Sequence, residues 1–246
     1  MSESIFSPAW RAQPLGRRGF LRVSAASAAT AALIGATGCS TQTPTPVATD
    51  PYALSLSTGD AGLVQYAYLL AMAQATLYQK VVDAPPSDLA AAERAIFADL
   101  RDHEVVHREV FKYQLDPTAS TVIVPADLAF SLKSFTLTTR AGVLAAAQQL
   151  EDLATAAYPV LLTLLTTTSG TLLRDLLLKT SSVHARHAAT VRDLLSPGSF
   201  ANDDVVENTG ALAGQIRTKT PTEVNTALAP FFAPYVISIA NLAVPV

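Results

Sequence analysis

The sequence predicts an all-α protein with a four-helix bundle, in which two antiparallel helix hairpins are joined by a long crossover. Four segments, each of 24 to 29 residues, have helix-forming composition with apolar residues at intervals of three and four. The joints between the first and second segments and between the third and fourth are short, which is typical of antiparallel neighbours. About 22 residues separate the second segment from the third, enough to cross the length of the bundle. An up-and-down bundle is the alternative arrangement.

Residues 1–39 have the features of a targeting segment. Adjacent arginines, Arg17 and Arg18, precede an Ala-rich stretch without charge that extends to Cys39. This arrangement resembles a twin-arginine export signal, and its end, "GATGC", resembles a weak lipobox. The stretch is too weakly hydrophobic for a permanent membrane span. We therefore expect export to the periplasm or the outer face of the bacterial cell envelope, with Cys39 lipidated as a membrane anchor; plain cleavage and an inert thiol are the alternatives.

A linker and a very apolar helix follow the targeting segment. Residues 40–56 are rich in Ser, Thr and Pro, a composition suited to a tether, and the bundle is expected to occupy residues 57–195. The first helix is predicted over 60–83, where Asp60 is placed to cap the free amides of the first turn. Apolar residues occupy nearly every face of this helix, which predicts a central position in the bundle.

Three further helices complete the predicted bundle. The second, 87–115, begins with a Ser87 cap and is the clearest amphipathic helix of the chain. The third, 138–165, contains Pro159, which is expected to kink it. The fourth covers 170–195 and ends before a Pro-Gly turn.

The C-terminal extension, 196–246, begins polar and ends apolar. Three prolines in its last stretch argue against a membrane helix. We therefore expect the extension to pack on the bundle or on a partner. A homo-oligomer is a further expectation.

Carboxylates and imidazoles are placed so that they converge from three of the predicted helices. Glu104 and His107 are three residues apart and share one face of the second helix. Glu151 lies in an apolar surround on the third helix, and His184 and His187 share a face of the fourth. Glutamate binds hard ions, and imidazole adds a nitrogen ligand that transition metals favour over calcium or magnesium. The pattern predicts a divalent metal site in the core.

With these residues the chain resembles the ferritin-like superfamily of di-iron carboxylate proteins, in particular the exported bacterial ferritin-like domain proteins. The resemblance implies that each helix pair supplies one Glu from its first helix and a Glu-x-x-His motif from its second. The step from Glu151 to His184 is 33 residues, and the same step back from Glu104 reaches Ala71. The sequence agrees with the family pattern at Glu104, His107, Glu151 and His187.

Two positions depart from that pattern, and both should carry a carboxylate. His184 stands where the second motif expects Glu, and Ala71 stands where the first helix should supply one; Gln74, one turn along, is a weak substitute. Two carboxylates with three imidazoles suit one divalent ion, such as iron(II), manganese or zinc, better than two. Two ions and a degenerate core without metal remain open, and each residue alone has a purely structural interpretation.

Composition and motifs exclude several classes of function. A net charge of −3 and scattered basic residues argue against binding of nucleic acids. The single cysteine, Cys39, excludes an intramolecular disulfide and a Cys-based zinc cluster. No Gly-rich phosphate loop or Gly-x-Ser-x-Gly motif supports phosphate binding or nucleophilic hydrolysis. Three functions remain: metal binding with iron oxidation or peroxide removal, as the resemblance implies; a single-metal enzyme; or a non-enzymatic envelope scaffold or binding protein.

Overall fold

A computed structural model describes residues 51–116, 118, 124–125, 128–166 and 169–242. The expected targeting segment, with Cys39, and most of the linker lie outside the described residues. Four long helices form the bundle: α1 Gly59–Asp83, α2 Ala91–Leu115, α3 Arg140–Leu164 and α4 Thr171–Leu195. Helix α1 packs mainly on α2 and α3 mainly on α4, while α1 also meets α3. The predicted four-helix bundle is confirmed. Among the described residues, no helix is both long and apolar enough to cross a membrane.

Helix α1 is buried on most of its sides, because its apolar residues do not follow a single stripe. Leu63 and Leu69 differ by about 240° around the helix axis, yet each is only 1% exposed. By contrast, α2 and α4 each bury one face, which also carries polar side chains. The polar residues of the core therefore come from the amphipathic helices and from α3.

The predicted start of the second helix and the predicted cap of the first are wrong. Helix α2 begins at Ala91, four residues after Ser87, because a turn that buries Leu89 precedes it and the Ala90 amide donates to the Glu93 carboxylate instead. Helix α1 begins at Gly59. The Asp60 carboxylate accepts hydrogen bonds from the Thr166 amide and from nearby hydroxyls, so it ties α1 to the joint between α3 and α4 rather than capping its own helix.

The C-terminal extension packs against the bundle in the structure. Its helix α5, Pro221–Phe232, contacts α3, and the Lys219 amide just before it donates to the Ala156 carbonyl at 3.0 Å. Strand β2, Val236–Ser238, pairs in parallel with strand β1, Ala53–Ser55. The C-terminal extension therefore also contacts the segment that precedes α1.

Candidate metal centre

Four side chains that could bind a metal converge in the interior of the bundle from three helices. Glu104 lies on α2, Glu151 on α3, and His184 and His187 on α4. One ligand atom from each of the four residues lies within 4.8 Å of the other three, and all four residues are buried. These four residues are called the core cluster below. The structure thus brings together four of the five metal-site residues named from the sequence.

Helical periodicity explains why these polar side chains face inwards. On α2, Glu104 is four residues from Leu100 and seven from Phe111, both of which are buried. On α4, His184 is seven residues from both Leu177 and Val191, which are fully buried. The ligands therefore occupy core positions of helices whose other core residues are apolar.

Glu151 contacts both histidines of the core cluster, and His187 contacts both of its carboxylates. Glu151 Oε1 accepts a hydrogen bond from the Tyr78 hydroxyl at 2.6 Å, and Glu151 Oε2 lies 2.9 Å from His184 Nδ1. His187 Nδ1 is 3.3 Å from Glu104 Oε1 and 3.4 Å from Glu151 Oε1. His187 Nδ1 therefore faces both carboxylates.

Three buried atoms of the core cluster have no hydrogen-bond partner among the described residues. They are Glu104 Oε1, His184 Nε2 and His187 Nδ1. The last lies close to carboxylate oxygens, but not in hydrogen-bonding geometry. An unsatisfied buried polar atom costs about 1 to 3 kcal/mol, and all three atoms are metal-ligand types. The residues present therefore fit a bound divalent ion.

Both carboxylates are held in the ionised form. Burial alone would raise the pKa of Glu104, but the imidazoles of His184, His107 and His187 outweigh burial and hold its pKa well below the usual range. Burial likewise opposes ionisation of Glu151, and His184 and His187 again lower its pKa. The core cluster consequently contains two negative charges in the dry interior.

The pKa values of the two imidazoles in the core cluster shift in the opposite direction, upwards. Burial alone would lower the pKa of His187, but the carboxylates of Glu104 and Glu151 raise its pKa to about 9. The same carboxylates overcome burial and raise the pKa of His184. Without metal, two imidazolium charges therefore balance the two carboxylates. One divalent ion bound to neutral imidazoles supplies the same charge.

Polar and aromatic residues of α1 and α3 surround the core cluster. Burial and the neighbouring Glu151 raise the pKa of Tyr78 well above its usual value, so its hydroxyl keeps the proton that it donates to Glu151. The Tyr158 ring stacks on His184 at a centroid distance of 4.9 Å. Gln74 Nε2 lies 3.3 Å from His184 Nδ1, and Ala71 is buried beside it. Gln74 therefore contacts a ligand and does not supply the missing carboxylate.

His107, which the sequence predicts as a ligand, lies at the edge of the core cluster. Its Nδ1 is 3.3 Å from Glu104 Oε2, the carboxylate oxygen that also lies 3.7 Å from His184 Nε2. His103 is exposed but touches the cluster: its Nδ1 is 3.0 Å from His187 Nε2, and the planes of the two rings are within 7° of parallel.

A sequence signal for His103 exists, because residues 103–107 read His-Glu-Val-Val-His. In zinc hydrolases with the H-E-x-x-H spacing, the two histidines bind the metal and the glutamate acts as a general base. Here the arrangement differs, since Glu104 points into the core cluster while His103 and His107 flank it. The motif therefore locates the site, although Glu104 rather than either of its two histidines belongs to the core cluster.

The neighbour of Glu151 belongs to a different group of charges. Asp152 accepts two hydrogen bonds from Arg192, and Asp204 of the C-terminal extension accepts two more. Arg192 is only 3% exposed. Asp152 is therefore half-buried and paired with the buried Arg192. Among the described residues, the ion pairs of Glu151 are with His184 and His187 alone.

A family model described as a ferritin-like domain matches residues 59–197, more than half of the chain. The match spans the four long helices and every residue of the core cluster. No curated protein and no solved structure gives a significant match. The family match therefore rests on the whole helical bundle.

Proposed function

The chain belongs to the ferritin-like domain family, and from that premise we propose that its bundle core binds one divalent transition-metal ion. The observation that carries the proposal is the core cluster, in which three buried ligand atoms have no partner among the described residues. Mixed carboxylate and imidazole ligands favour iron(II), manganese(II) or zinc(II) over calcium and magnesium.

Charge supports one ion rather than the two that the family pattern holds. The two carboxylates of the core cluster, Glu104 and Glu151, neutralise one divalent ion when His184 and His187 are neutral. A second divalent ion would leave two uncompensated positive charges in the core, where an unpaired charge costs several kcal/mol. The chain has Ala71 and His184 where two further carboxylates would provide that compensation.

Each residue then has a defined role. Glu104 and Glu151 bind as carboxylates, and His184 and His187 bind after releasing their protons. Tyr78 orients Glu151 through its hydrogen bond, as outer partners of metal ligands generally do. A bound iron(II) would supply one-electron oxidation chemistry, so iron oxidation or peroxide removal is the activity proposed for an iron-loaded protein, whereas zinc would supply no redox chemistry.

Equilibrium dialysis against Zn²⁺, Mn²⁺ or anaerobic Fe²⁺ tests the proposal. Glu104→Gln removes a core carboxylate with little change of shape, and we expect it to lose tight binding of every ion that the wild type retains. Glu93→Gln is the matched control, because Glu93 is also a buried glutamate of α2 but pairs with Arg140 outside the core cluster. Equal binding by the wild type and Glu104→Gln would refute the proposed site.

A metal-free scaffold is the second candidate. The raised pKa values of His184 and His187 favour this candidate. Two protonated imidazoles balance the charges of the two carboxylates without an ion. The unpartnered atoms of Glu104, His184 and His187 argue against it. The dialysis experiment separates the two candidates, since a scaffold retains no ion.

We also propose that the protein is exported and tethered to the outer face of the cytoplasmic membrane. Arg17 and Arg18 with the charge-free stretch after them support export, and Cys39 before the Ser/Thr/Pro linker supports a lipid anchor. Replacing both arginines by lysine should block export. Cys39→Ser should move the protein from the membrane fraction to the soluble fraction, and unchanged membrane association would contradict lipidation.

A further inference from the structure

His103 is the one exposed histidine in direct contact with the core cluster among the described residues. The side chain of His187, its contact, is 7% exposed, whereas those of Glu104, Glu151 and His184 are fully buried. His187 thus presents one ring nitrogen to the carboxylates and the other to His103. The pair forms a continuous line of ligand atoms from the surface to the interior.

We infer that His103 is an uptake ligand, which captures a divalent transition-metal ion at the surface together with His187 and passes it inwards. The inference rests on the proposed function, because it concerns how the same ion reaches the core cluster. His103 is distinct from the four core ligands: its ring lies outside the cluster and accompanies only the outer nitrogen of His187.

The contact between the two rings has a separation suited to this role. His103 Nδ1 and His187 Nε2 are 3.0 Å apart. Two imidazole nitrogens that each lie about 2.1 Å from one ion are separated by about 3.0 Å at a ligand angle of about 90° and by about 3.4 Å at the tetrahedral angle. In the ion-free molecule the same two nitrogens share one proton as a hydrogen bond. An ion captured at this pair takes the place of that proton, and the exposed His103 ring turns to present its nitrogen.

The other histidine near the surface is less suited to capture. The His107 side chain is 12% exposed, but its Nδ1 already contacts Glu104 Oε2 at 3.3 Å. No second imidazole nitrogen accompanies His107 at hydrogen-bonding distance among the described residues. An ion held there would compete with the contact to Glu104, a proposed core ligand, whereas the contact of His103 is with a second imidazole nitrogen that can bind the same ion.

Rapid mixing of the full-length apo protein with Co²⁺, followed by its visible absorption, measures the uptake rate. His103→Phe keeps an aromatic ring beside His187 but removes both nitrogens, and we expect its uptake rate to fall roughly tenfold, the low end of the effect that loss of a residue next to a metal ligand has on activity. Release to a chelator should slow by a similar factor, so that the equilibrium affinity stays near that of the wild type. Asp102→Asn is the control for general surface charge, with an expected wild-type rate.

Three other results would overturn the inference. If His103→Phe takes up Co²⁺ at the wild-type rate and His103→Ala takes it up faster, the His103 side chain shields the site instead of capturing the ion. Loss of affinity through faster release, at an unchanged uptake rate, would make it a positioning residue for His187. If Asp102→Asn slows Co²⁺ uptake as much as His103→Phe does, the effect comes from surface charge and not from the His103 ring. A wild-type protein that binds no Co²⁺ would instead refute the proposed function, so the two failures are distinguishable.

Discussion

Two groups of charged side chains both draw on helices α3 and α4, and among the described residues only one of them has buried ligand atoms without a partner. The core cluster takes Glu151 from α3, whereas the Arg192 cluster, made of Arg192, Asp152 and Asp204, takes the next residue of α3. Arg192 makes four hydrogen bonds of 2.6 to 3.0 Å to its two carboxylates. The core cluster leaves three buried atoms without a partner.

This difference shows what separates a structural ion pair from a candidate metal site. Both clusters contain a buried charged side chain, although Asp204 is exposed, and both shift the pKa of their members: Arg192 lowers the pKa of Asp204, as the imidazoles lower that of Glu151. Burial and pKa shifts alone therefore do not identify a binding site. Unused ligand atoms that face one another do, because only they gain a partner when an ion binds.

Substituting each of two adjacent acidic residues of α3 in turn should give the largest contrast in metal affinity. Glu151→Gln removes a proposed ligand, and we expect metal affinity to fall by more than about a hundredfold, beyond the loss that outer partners cause. Asp152→Asn, one residue later, should leave metal affinity unchanged and weaken the bond to Arg192 instead. Isothermal titration with Zn²⁺ measures both variants, and equal affinities would remove the distinction between the clusters.

Breaking the Arg192 cluster should affect stability rather than metal binding. Arg192→Ala leaves Asp152 without its cation and detaches Asp204 of the C-terminal extension, so we expect the free energy of unfolding to fall by about 1 to 3 kcal/mol, because Arg192 is buried but its carboxylate partners are partly or largely exposed. Arg186→Ala, an exposed arginine of the same helix, should change it by less than about 0.5 kcal/mol. Urea denaturation compares them, and equal effects would contradict the structural role.

A smaller effect is expected from the hydroxyl that orients Glu151. Tyr78→Phe removes the 2.6 Å hydrogen bond, and we expect metal affinity to fall roughly tenfold. Tyr66→Phe is a close match, because the Tyr66 hydroxyl is also buried but donates to the Pro221 carbonyl, away from the core cluster. Both variants should lose about 1 kcal/mol of stability, and only Tyr78→Phe should lose affinity in the same titration.

The smallest effect concerns acid stability of the Arg192 cluster. The Arg192 guanidinium holds the pKa of Asp204 below its unfolded value of about 3.8, so this contact stabilises the fold fully above that pH and is lost as the pH falls through the folded pKa. The wild type should therefore lose more stability between pH 5 and pH 3 than Arg192→Ala does. Urea denaturation at several pH values measures the difference, and parallel curves would contradict it.

The sequence predicts the fold well because the helical periodicity of the four segments is local information. The 33-residue step also identifies Glu104, Glu151 and His184 before any contact is known. It could not predict His103, since that residue lies on an exposed face and its contact with His187 depends on how α2 is rotated against α4. The role of Asp152 was equally hidden, because its partner Arg192 lies 40 residues away. Contacts between side chains of different helices are not encoded in the spacing within one helix.

The number of ions per chain tests the central claim most directly. Native mass spectrometry of full-length protein, purified from its own host and then exposed anaerobically to excess Fe²⁺, counts them without any assumption about activity. The charge balance of Glu104 and Glu151 against His184 and His187 predicts one divalent ion per chain, lost in Glu151→Gln. Two ions per chain would contradict the argument from the missing carboxylates, and no retained ion would leave the bundle as a scaffold.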